Sequence, residues 1–259
     1  MLPKKMFPIL AVMVLSAVLS LAAVAPALAH FGMVIPGTSV VPQSDRTLPL
    51  MLAFAHPFEG NGMNLERPKS FRVIHDGTSE DLTGKLQQTT ILGHEAWTMD
   101  YKVGRPGMYV FAMEPQPYPE PAEDNYIIHY TKTIVSAYDE GEGWYQPVGM
   151  KTEIVPLTRP WGNYAGNVFQ GVVLLDGKPA PHTRVEVEYY NKDGKFEAPE
   201  ECMITQEVLC DDNGVFTFVC PQPGWWGFAG LNDADYKIQG KDVELGAVLW
   251  IETKGWKTK

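Results

Sequence analysis

Short runs of apolar and β-branched residues, separated by glycine, proline and aspartate, fill most of the chain. Residues 49–55 and 126–135 are rich in the residue types that strands favour, and residues 184–190 alternate, with Val185 and Val187 on one face. Few windows repeat their apolar positions at the helical spacing for three turns. The pattern therefore predicts a mainly β protein built from many short strands.

Turn signals recur between these runs, as at Asp76-Gly77 and Asp212-Asn213-Gly214, and regular short strands of this kind are typical of β-sandwiches. The character of the sequence changes near residues 153–160, where we place a domain boundary. We predict three segments: a signal peptide over residues 1–29, an N-terminal β-sandwich over residues 30–155 and a C-terminal β-sandwich over residues 156–259.

The first segment has the layout of a secretory leader. Two lysines, an apolar run over residues 9–24 and an Ala-x-Ala site that ends at Ala29 follow one another. A single membrane anchor is the alternative, but Pro26 and the small residues before His30 favour cleavage after Ala29. We therefore expect an exported protein whose mature chain begins at His30.

A histidine at the mature N-terminus has metal-binding chemistry of its own. Its α-amine and its imidazole Nδ1 can close a six-membered chelate ring on a metal ion, and each needs only to lose a proton near neutral pH. Nitrogen donors suit Ni, Co, Cu and Zn rather than Ca or Mg. His30 is thus the first candidate metal ligand.

Two further histidines are candidate ligands. Pro57 ends a predicted strand and holds His56 in extended geometry, and His129 lies within a predicted strand on the face of Ile127 and Thr131. For each, a hydrogen-bonded structural histidine is the alternative. Glu59 and Met63 of the loop after His56 are supplementary donors at most, and the remaining histidines (His75, His94 and His182) are expected at turns or in loops.

Composition and charge exclude several classes. Hydrophobic residues make up 45% of the chain, which is too many for a largely disordered protein, and a net charge of −10 with no basic cluster argues against nucleic-acid binding. No hydrolase or nucleotide-binding motif is present. We therefore expect a binding protein and not an enzyme.

The three cysteines of the mature chain are Cys202, Cys210 and Cys220. Their spacing is not that of a zinc site, and an oxidising compartment would permit one disulfide. We expect a structural role, as one disulfide bond or as three buried thiols.

Several motifs together resemble a family of periplasmic cobalt/nickel transport accessory proteins, formerly a domain of unknown function. They are found in residues 29–36, 54–59, 129–134, 148–160, 166–171 and 224–229. The resemblance implies that Ni(II) or Co(II) is bound outside the cytoplasmic membrane, by His30 and His56 with His129 less certain. It also implies delivery of the ion to an energy-coupling-factor type transporter. The C-terminal half resembles transthyretin-like and carboxypeptidase-regulatory sandwiches, through Asp176–Pro179 and the turn at Asp212.

Two other functions remain open at this stage. A terminal histidine with a second histidine is also the copper brace of lytic polysaccharide monooxygenases and of copper carriers, so a Cu(II) oxidase or carrier is one alternative. A metal-free structural or adhesion protein made of two sandwiches is the other. The copper oxidase predicts oxygen-dependent turnover with Cu(II) and a reductant. The metal-free protein predicts that blocking the α-amine of the mature N-terminus changes nothing.

Overall fold

A computed structural model describes residues 29–258 and contains twenty strands and two short 3-10 helices, Thr83–Lys85 and Glu201–Met203. The strands are β1 Phe31–Pro36, β2 Val40–Val41, β3 Thr47–His56, β4 Asn61–Met63, β5 Ser70–His75, β6 Thr78–Asp81, β7 Gln87–Ile91, β8 His94–Lys102, β9 Gly107–Glu114, β10 Tyr118–Glu120, β11 Asn125–Ala137, β12 Thr152–Pro156, β13 Asn163–Tyr164, β14 Val168–Leu175, β15 Lys178–Pro179, β16 Arg184–Tyr189, β17 Gln206–Leu209, β18 Val215–Val219, β19 Gly224–Asp233 and β20 Val243–Lys254.

A large sheet of eleven strands runs through the molecule in the order β17-β16-β19-β20-β11-β9-β5-β6, with β2, β10 and β13 paired at its margins. Its middle is the pairing of β11 with β20, which are parallel and matched from Tyr126 opposite Val243 to Thr133 opposite Trp250. Parallel neighbours need a long connection, and here the connection includes every strand from β12 to β19. Strands from both halves of the chain thus share one sheet.

Two smaller sheets cover the two faces of the large one. Successive residues of β11 point to opposite faces, so Ile134 packs with Phe169 of the four-stranded sheet (β12, β14, β15, β18), whereas Val135 packs with Leu50 of the five-stranded sheet (β1, β3, β4, β7, β8). The result is three β layers with apolar clusters on both faces of the large sheet.

The predicted fold class is confirmed: the protein is mainly β and its sheets stack as in sandwiches. The apolar runs predicted as strands form β3, β11 and β16 with shifts of one or two residues at their ends. The predicted domain boundary at 155/156 falls inside β12, and the division into two domains stays a prediction. The predicted leader lies outside the described residues, apart from Ala29. Among residues 29–258, no helix is long and apolar enough to span a membrane.

The cysteines differ from both expected forms. None is in a disulfide; Cys210 and Cys220 are buried thiols, but Cys202 is exposed within the second 3-10 helix. Burial raises the pKa of the Cys210 thiol to about 11 and that of Cys220 to about 12, so both stay protonated at neutral pH and act as small core side chains.

Candidate metal centre

His30 stands directly before β1, at the margin between the five-stranded sheet and the large sheet. The strand is held in place because Phe31 is fully buried against Trp250 and because the indole N–H of Trp250 donates a hydrogen bond of 2.8 Å to the carbonyl of Gly32. Gly32 makes this close approach possible, since a Cβ there would lie 2.3 Å from the hydroxyl of Thr131. The sequence thus fixes the residue after His30 firmly in the core.

His56 is the last residue of β3, the strand that pairs antiparallel with β1. Phe31 lies opposite Ala55 in this register, so His56 comes next to the start of β1. Its ring centroid is 4.6 Å from that of His30. Two imidazoles bound to one metal ion at about 2.0–2.1 Å would have centroids roughly 4.5 Å apart if their bonds meet at a right angle, and roughly 5.2 Å apart at a tetrahedral angle.

The Nδ1 atom of His56 lies 2.8 Å from the carbonyl oxygen of Ala29. That carbonyl belongs to the peptide bond whose nitrogen is the backbone nitrogen of His30. His56 is therefore positioned beside the bond at which we predict cleavage, where the α-amine of the mature chain would be.

The other ring nitrogen of His30 is also positioned. Its Nε2 lies 2.9 Å from a carboxylate oxygen of Glu120, at the end of the short strand β10. An ionised carboxylate only accepts hydrogen bonds, so the Nε2–H of His30 donates and the proton is placed on Nε2. In this tautomer Nδ1 is unprotonated and has a lone pair available, as an amine–Nδ1 chelate requires.

Burial keeps both rings neutral. It lowers the pKa of His30 to about 4, with further lowering by His56 and His129, although the carboxylates of Glu120 and Glu244 act in the opposite direction. Burial also lowers the pKa of His56, against the hydrogen bond with Ala29 and the nearby acidic residues. A neutral imidazole is the form that binds metal, so both rings are ready to ligate at neutral pH.

His129 lies within β11 on the face predicted for it and is 2% exposed. Its Nδ1 accepts a hydrogen bond of 3.3 Å from the backbone N–H of Gly32, and its Nε2 lies 3.4 Å from a carboxylate oxygen of Glu244. Both ring nitrogens therefore have protein partners. His129 joins the same cluster as His30 and His56, but ligation would require it to leave one of these two bonds.

A cavity lies beside the histidine cluster, and its wall includes His129 together with the aromatic residues Phe54 and Tyr118. Phe54 is stacked on His30, with centroids 5.7 Å apart, and meets His129 edge-on at 5.8 Å. Tyr118 packs against Phe54 at 4.9 Å. The cavity has a volume of about 220 Å³ and is mostly apolar, with Pro115, Pro117 and Pro119 in its wall.

Among the described residues, no three His, Cys, Asp or Glu side chains are arranged as a metal-binding cluster. The arrangement around His30 has two side chains with available nitrogens and one backbone nitrogen, which is an amide as long as Ala29 is attached. Glu59 is exposed, and Met63 lies opposite Phe54 and packs into the core, so neither adds a donor to this pair.

Sequence reasoning missed Glu120, Glu244 and Tyr118. Glu120 and Tyr118 belong to a proline-rich segment, residues 116–121, whose prolines are typical of a loop; three of its residues form the marginal strand β10 beside β11. Glu244 is separated from His129 by 115 residues and becomes its neighbour only through the parallel pairing of β11 and β20. No local signal marks any of the three.

Comparisons with solved structures give only distant similarities. The dimeric latent PorU of Porphyromonas gingivalis is 10% identical with a TM-score of 0.24, over 90% of this chain and 21% of that one. The native α-2-macroglobulin of Escherichia coli is 12% identical with a TM-score of 0.24, over 89% and 14%. The fibronectin(III)-like modules of Clostridium thermocellum CbhA are 10% identical with a TM-score of 0.23, over 86% and 95%. The chain thus spans about a fifth or less of the first two proteins.

No curated protein matches the chain. A family model does match, over residues 27–233, and its description is a domain of unknown function, DUF4198. The match begins just before His30 and includes the candidate histidines. The chain belongs to this family, the DUF4198 proteins.

Proposed function

We propose that the mature protein binds Ni(II) or Co(II) in the periplasm and passes the ion to a membrane transporter of the energy-coupling-factor type. The observation that carries the proposal is the position of His56, whose Nδ1 lies 2.8 Å from the carbonyl of Ala29. Cleavage after Ala29 would remove this carbonyl and leave the imidazole of His56 beside a new α-amine. The metal ion is the cargo of this protein.

The proposed donors are the α-amine and Nδ1 of His30 together with an imidazole nitrogen of His56. The carboxylate of Glu120 would fix the ring of His30 and raise the basicity of its Nδ1, which is the usual role of a carboxylate behind a metal-bound histidine. Water, or His129 after release from Glu244, would complete the coordination. Three nitrogen donors with open positions suit an ion that is to be released rather than stored.

A Ni(II) titration of the mature chain beginning at His30 tests the proposal. The comparison is the same chain extended by Gly-Ser before His30, because the extension turns the α-amine into an amide that binds metal poorly near neutral pH. We expect one tightly bound equivalent on the mature chain, and we expect that equivalent to bind at least tenfold more weakly to the extended chain and to His56→Ala. His182→Ala is the matched control, since its side chain is 72% exposed and outside the cluster. Equal binding by the mature and extended chains would refute the terminal chelate.

Affinity alone does not identify the ion, because Cu(II) binds most nitrogen sites more tightly than Ni(II) or Co(II). The metal content of protein recovered from the periplasm decides among Ni(II), Co(II) and Cu(II). Oxygen-dependent turnover with Cu(II) and a reductant would assign the copper oxidase alternative instead.

The transport step has its own test. Cells that carry the double variant His30→Ala/His56→Ala should accumulate less Ni(II) or Co(II) than cells with the wild-type protein at limiting metal concentration. Normal accumulation with a protein that has lost its metal site would overturn the delivery role and leave metal binding itself in place.

A further inference from the structure

A second histidine site is located at the tip of the hairpin formed by β5 and β6, outside the cluster around His30. His75 is the last residue of β5, and Asp76 and Gly77 form the turn that follows. The ring of His75 lies flat on Tyr109, with centroids 4.0 Å apart and planes within 5°. Its Nδ1 lies 3.0 Å from the carbonyl oxygen of Met108, so Nδ1 bears a proton and donates to that oxygen.

The other nitrogen of this ring has no hydrogen-bond partner within the described chain, although it is buried. The Nε2 atom of His75 lies 3.3 Å from a carboxylate oxygen of Asp76. In the neutral ring with Nδ1 protonated, Nε2 is a lone-pair acceptor and so is the carboxylate. The Asp76 carboxylate is 69% exposed and open to water, so the orphaned group is Nε2, and a cation held between the two acceptors, either a proton or a metal ion, would satisfy it.

The geometry suits a metal ion. Donors about 2.0–2.2 Å from one ion and separated by a roughly tetrahedral angle are about 3.3–3.5 Å apart. A ring whose second N–H donates to a backbone carbonyl, as that of His75 does to Met108, has the support that metal-bound histidines usually have.

The cavity on one side of Asp76 is acidic and attracts cations. Asp76 lines a cavity of about 470 Å³ whose other charged lining residues are Glu140 and Glu142, with no lysine, arginine or histidine in its wall. A second cavity, of about 300 Å³, contains His75 itself together with Asp76 and Glu80, and it has Lys102 and Arg105 at exposed positions. The acidic cavity therefore offers the entry path to the carboxylate of Asp76.

We propose that His75 and Asp76 bind a divalent transition-metal ion, with Nε2 and a carboxylate oxygen as the protein ligands and water in the remaining positions. The site is independent of the chelate at His30 and of the transport role. With two protein ligands it binds more weakly than a three-nitrogen site, and imidazole with carboxylate suits Zn(II), Co(II) or Ni(II).

A Zn(II) titration of the chain extended by Gly-Ser before His30 tests this site, because the terminal chelate is blocked there. We expect His75→Ala to lose one equivalent of bound Zn(II). Asp76→Asn should weaken that equivalent at least tenfold, and it keeps the turn because asparagine tolerates the φ of +49° that Asp76 adopts. The second variant keeps the test valid if loss of the His75 ring disturbs packing on Tyr109.

His182 provides a matched control. Its Nε2 is also 3.3 Å from an aspartate oxygen, that of Asp212, but the side chain of His182 is 72% exposed, against 15% for His75; the aspartate is exposed in both pairs. His182→Ala should leave the stoichiometry unchanged. Zn(II) binding that is unaffected by His75→Ala and Asp76→Asn would overturn the proposal and leave a proton as the cation between the two residues. Equal losses in the His75 and His182 variants would overturn it as well, because binding would then be generic to exposed His–Asp pairs.

Discussion

His56 is placed against Ala29, with 2.8 Å between its Nδ1 and the carbonyl oxygen of that residue. The contact joins His56, at the end of β3, to Ala29, which lies 27 positions earlier in the chain and directly precedes His30. Removal of Ala29 would change the chemistry at this point from a peptide carbonyl to a primary amine, without moving the strands that hold the two histidines. Processing and metal binding are thereby linked in the proposed function.

Glu120 should act on the metal through His30. Glu120→Gln removes the charge behind Nε2 but keeps a group that can accept its proton, so Ni(II) affinity should fall about 10- to 100-fold with the stoichiometry unchanged. Calorimetric titration measures both quantities. Glu123→Gln is the control, since Glu123 is exposed and hydrogen-bonds only to Asn125. An unchanged affinity in Glu120→Gln would show that this carboxylate does not support the ligand.

Gly246 makes room for His129. A Cβ at this position would lie 2.3 Å from Cδ2 and 2.6 Å from Nε2 of the imidazole, so Gly246→Ala must displace the ring from Gly32 and Glu244. We expect a loss of about 1–3 kcal/mol in the free energy of unfolding, as for other overpacked cores.

Urea denaturation measures that loss, and hydrogen exchange at the Gly32 amide reports the broken bond. Gly84→Ala is the control, because a Cβ there meets nothing within 4 Å. Full protection of the Gly32 amide in Gly246→Ala would contradict the displacement.

A buried ion pair lies between the large sheet and the four-stranded sheet. The ammonium of Lys132 is hydrogen-bonded to Glu153, which also accepts backbone N–H bonds from Val148 and Gly149, and both side chains are at most 2% exposed. Burial lowers the pKa of Lys132, against the raising effect of Glu153.

Glu153→Gln should destabilise the protein by about 3–5 kcal/mol, because it leaves a buried charge without its partner. Lys132→Met should cost less, since Glu153 keeps its two backbone donors. Chemical denaturation of the two variants checks the order. A larger loss of unfolding free energy in Lys132→Met than in Glu153→Gln would mean that the two backbone N–H bonds do not stabilise the buried carboxylate of Glu153 once Lys132 is gone.

Stability should depend on the ionisation of Glu188. Burial raises the pKa of this carboxyl from 4.5 to about 8, although Thr205 and Phe58 donate hydrogen bonds to it, and Glu186 and Glu59 raise it further. The folded state therefore holds a proton that the unfolded chain has already lost. The corresponding stability is present below pH 4.5 and is lost as the pH rises through about 8.

Glu188→Gln should flatten this dependence and raise the free energy of unfolding at pH 8 relative to the wild-type protein. Urea denaturation between pH 5 and 9 provides the measurement. Glu197→Gln, at an exposed position, should leave the slope as it is. The pKa of Glu186 is raised to about 7 by burial and by Glu244, so some dependence of the same sign should persist in Glu188→Gln. A slope identical to that of the wild type would place the proton elsewhere.

Local chemistry determined what could be read from the sequence. Alternating residues in β16 and β-branched residues in β11 specify strands, and Pro57 ends β3 at His56 whatever surrounds it. The leader pattern points to His30 as a terminal residue, and the pairing of a terminal amine with an imidazole is a property of that one residue. The mainly β class and the candidate histidines were therefore accessible before any fold was known.

The tertiary structure decided everything that depends on long-range register. The parallel pairing of β11 with β20 brings Glu244 to His129, and the turn of the chain before β11 brings Glu120 to His30. Neither partner has a sequence signal, because the free energy that aligns these strands comes from apolar side chains on both faces of the large sheet and not from the polar residues themselves. The same packing buries His30 and lowers its pKa. The sequence names the candidate ligands, whereas the fold supplies their protonation state and their support.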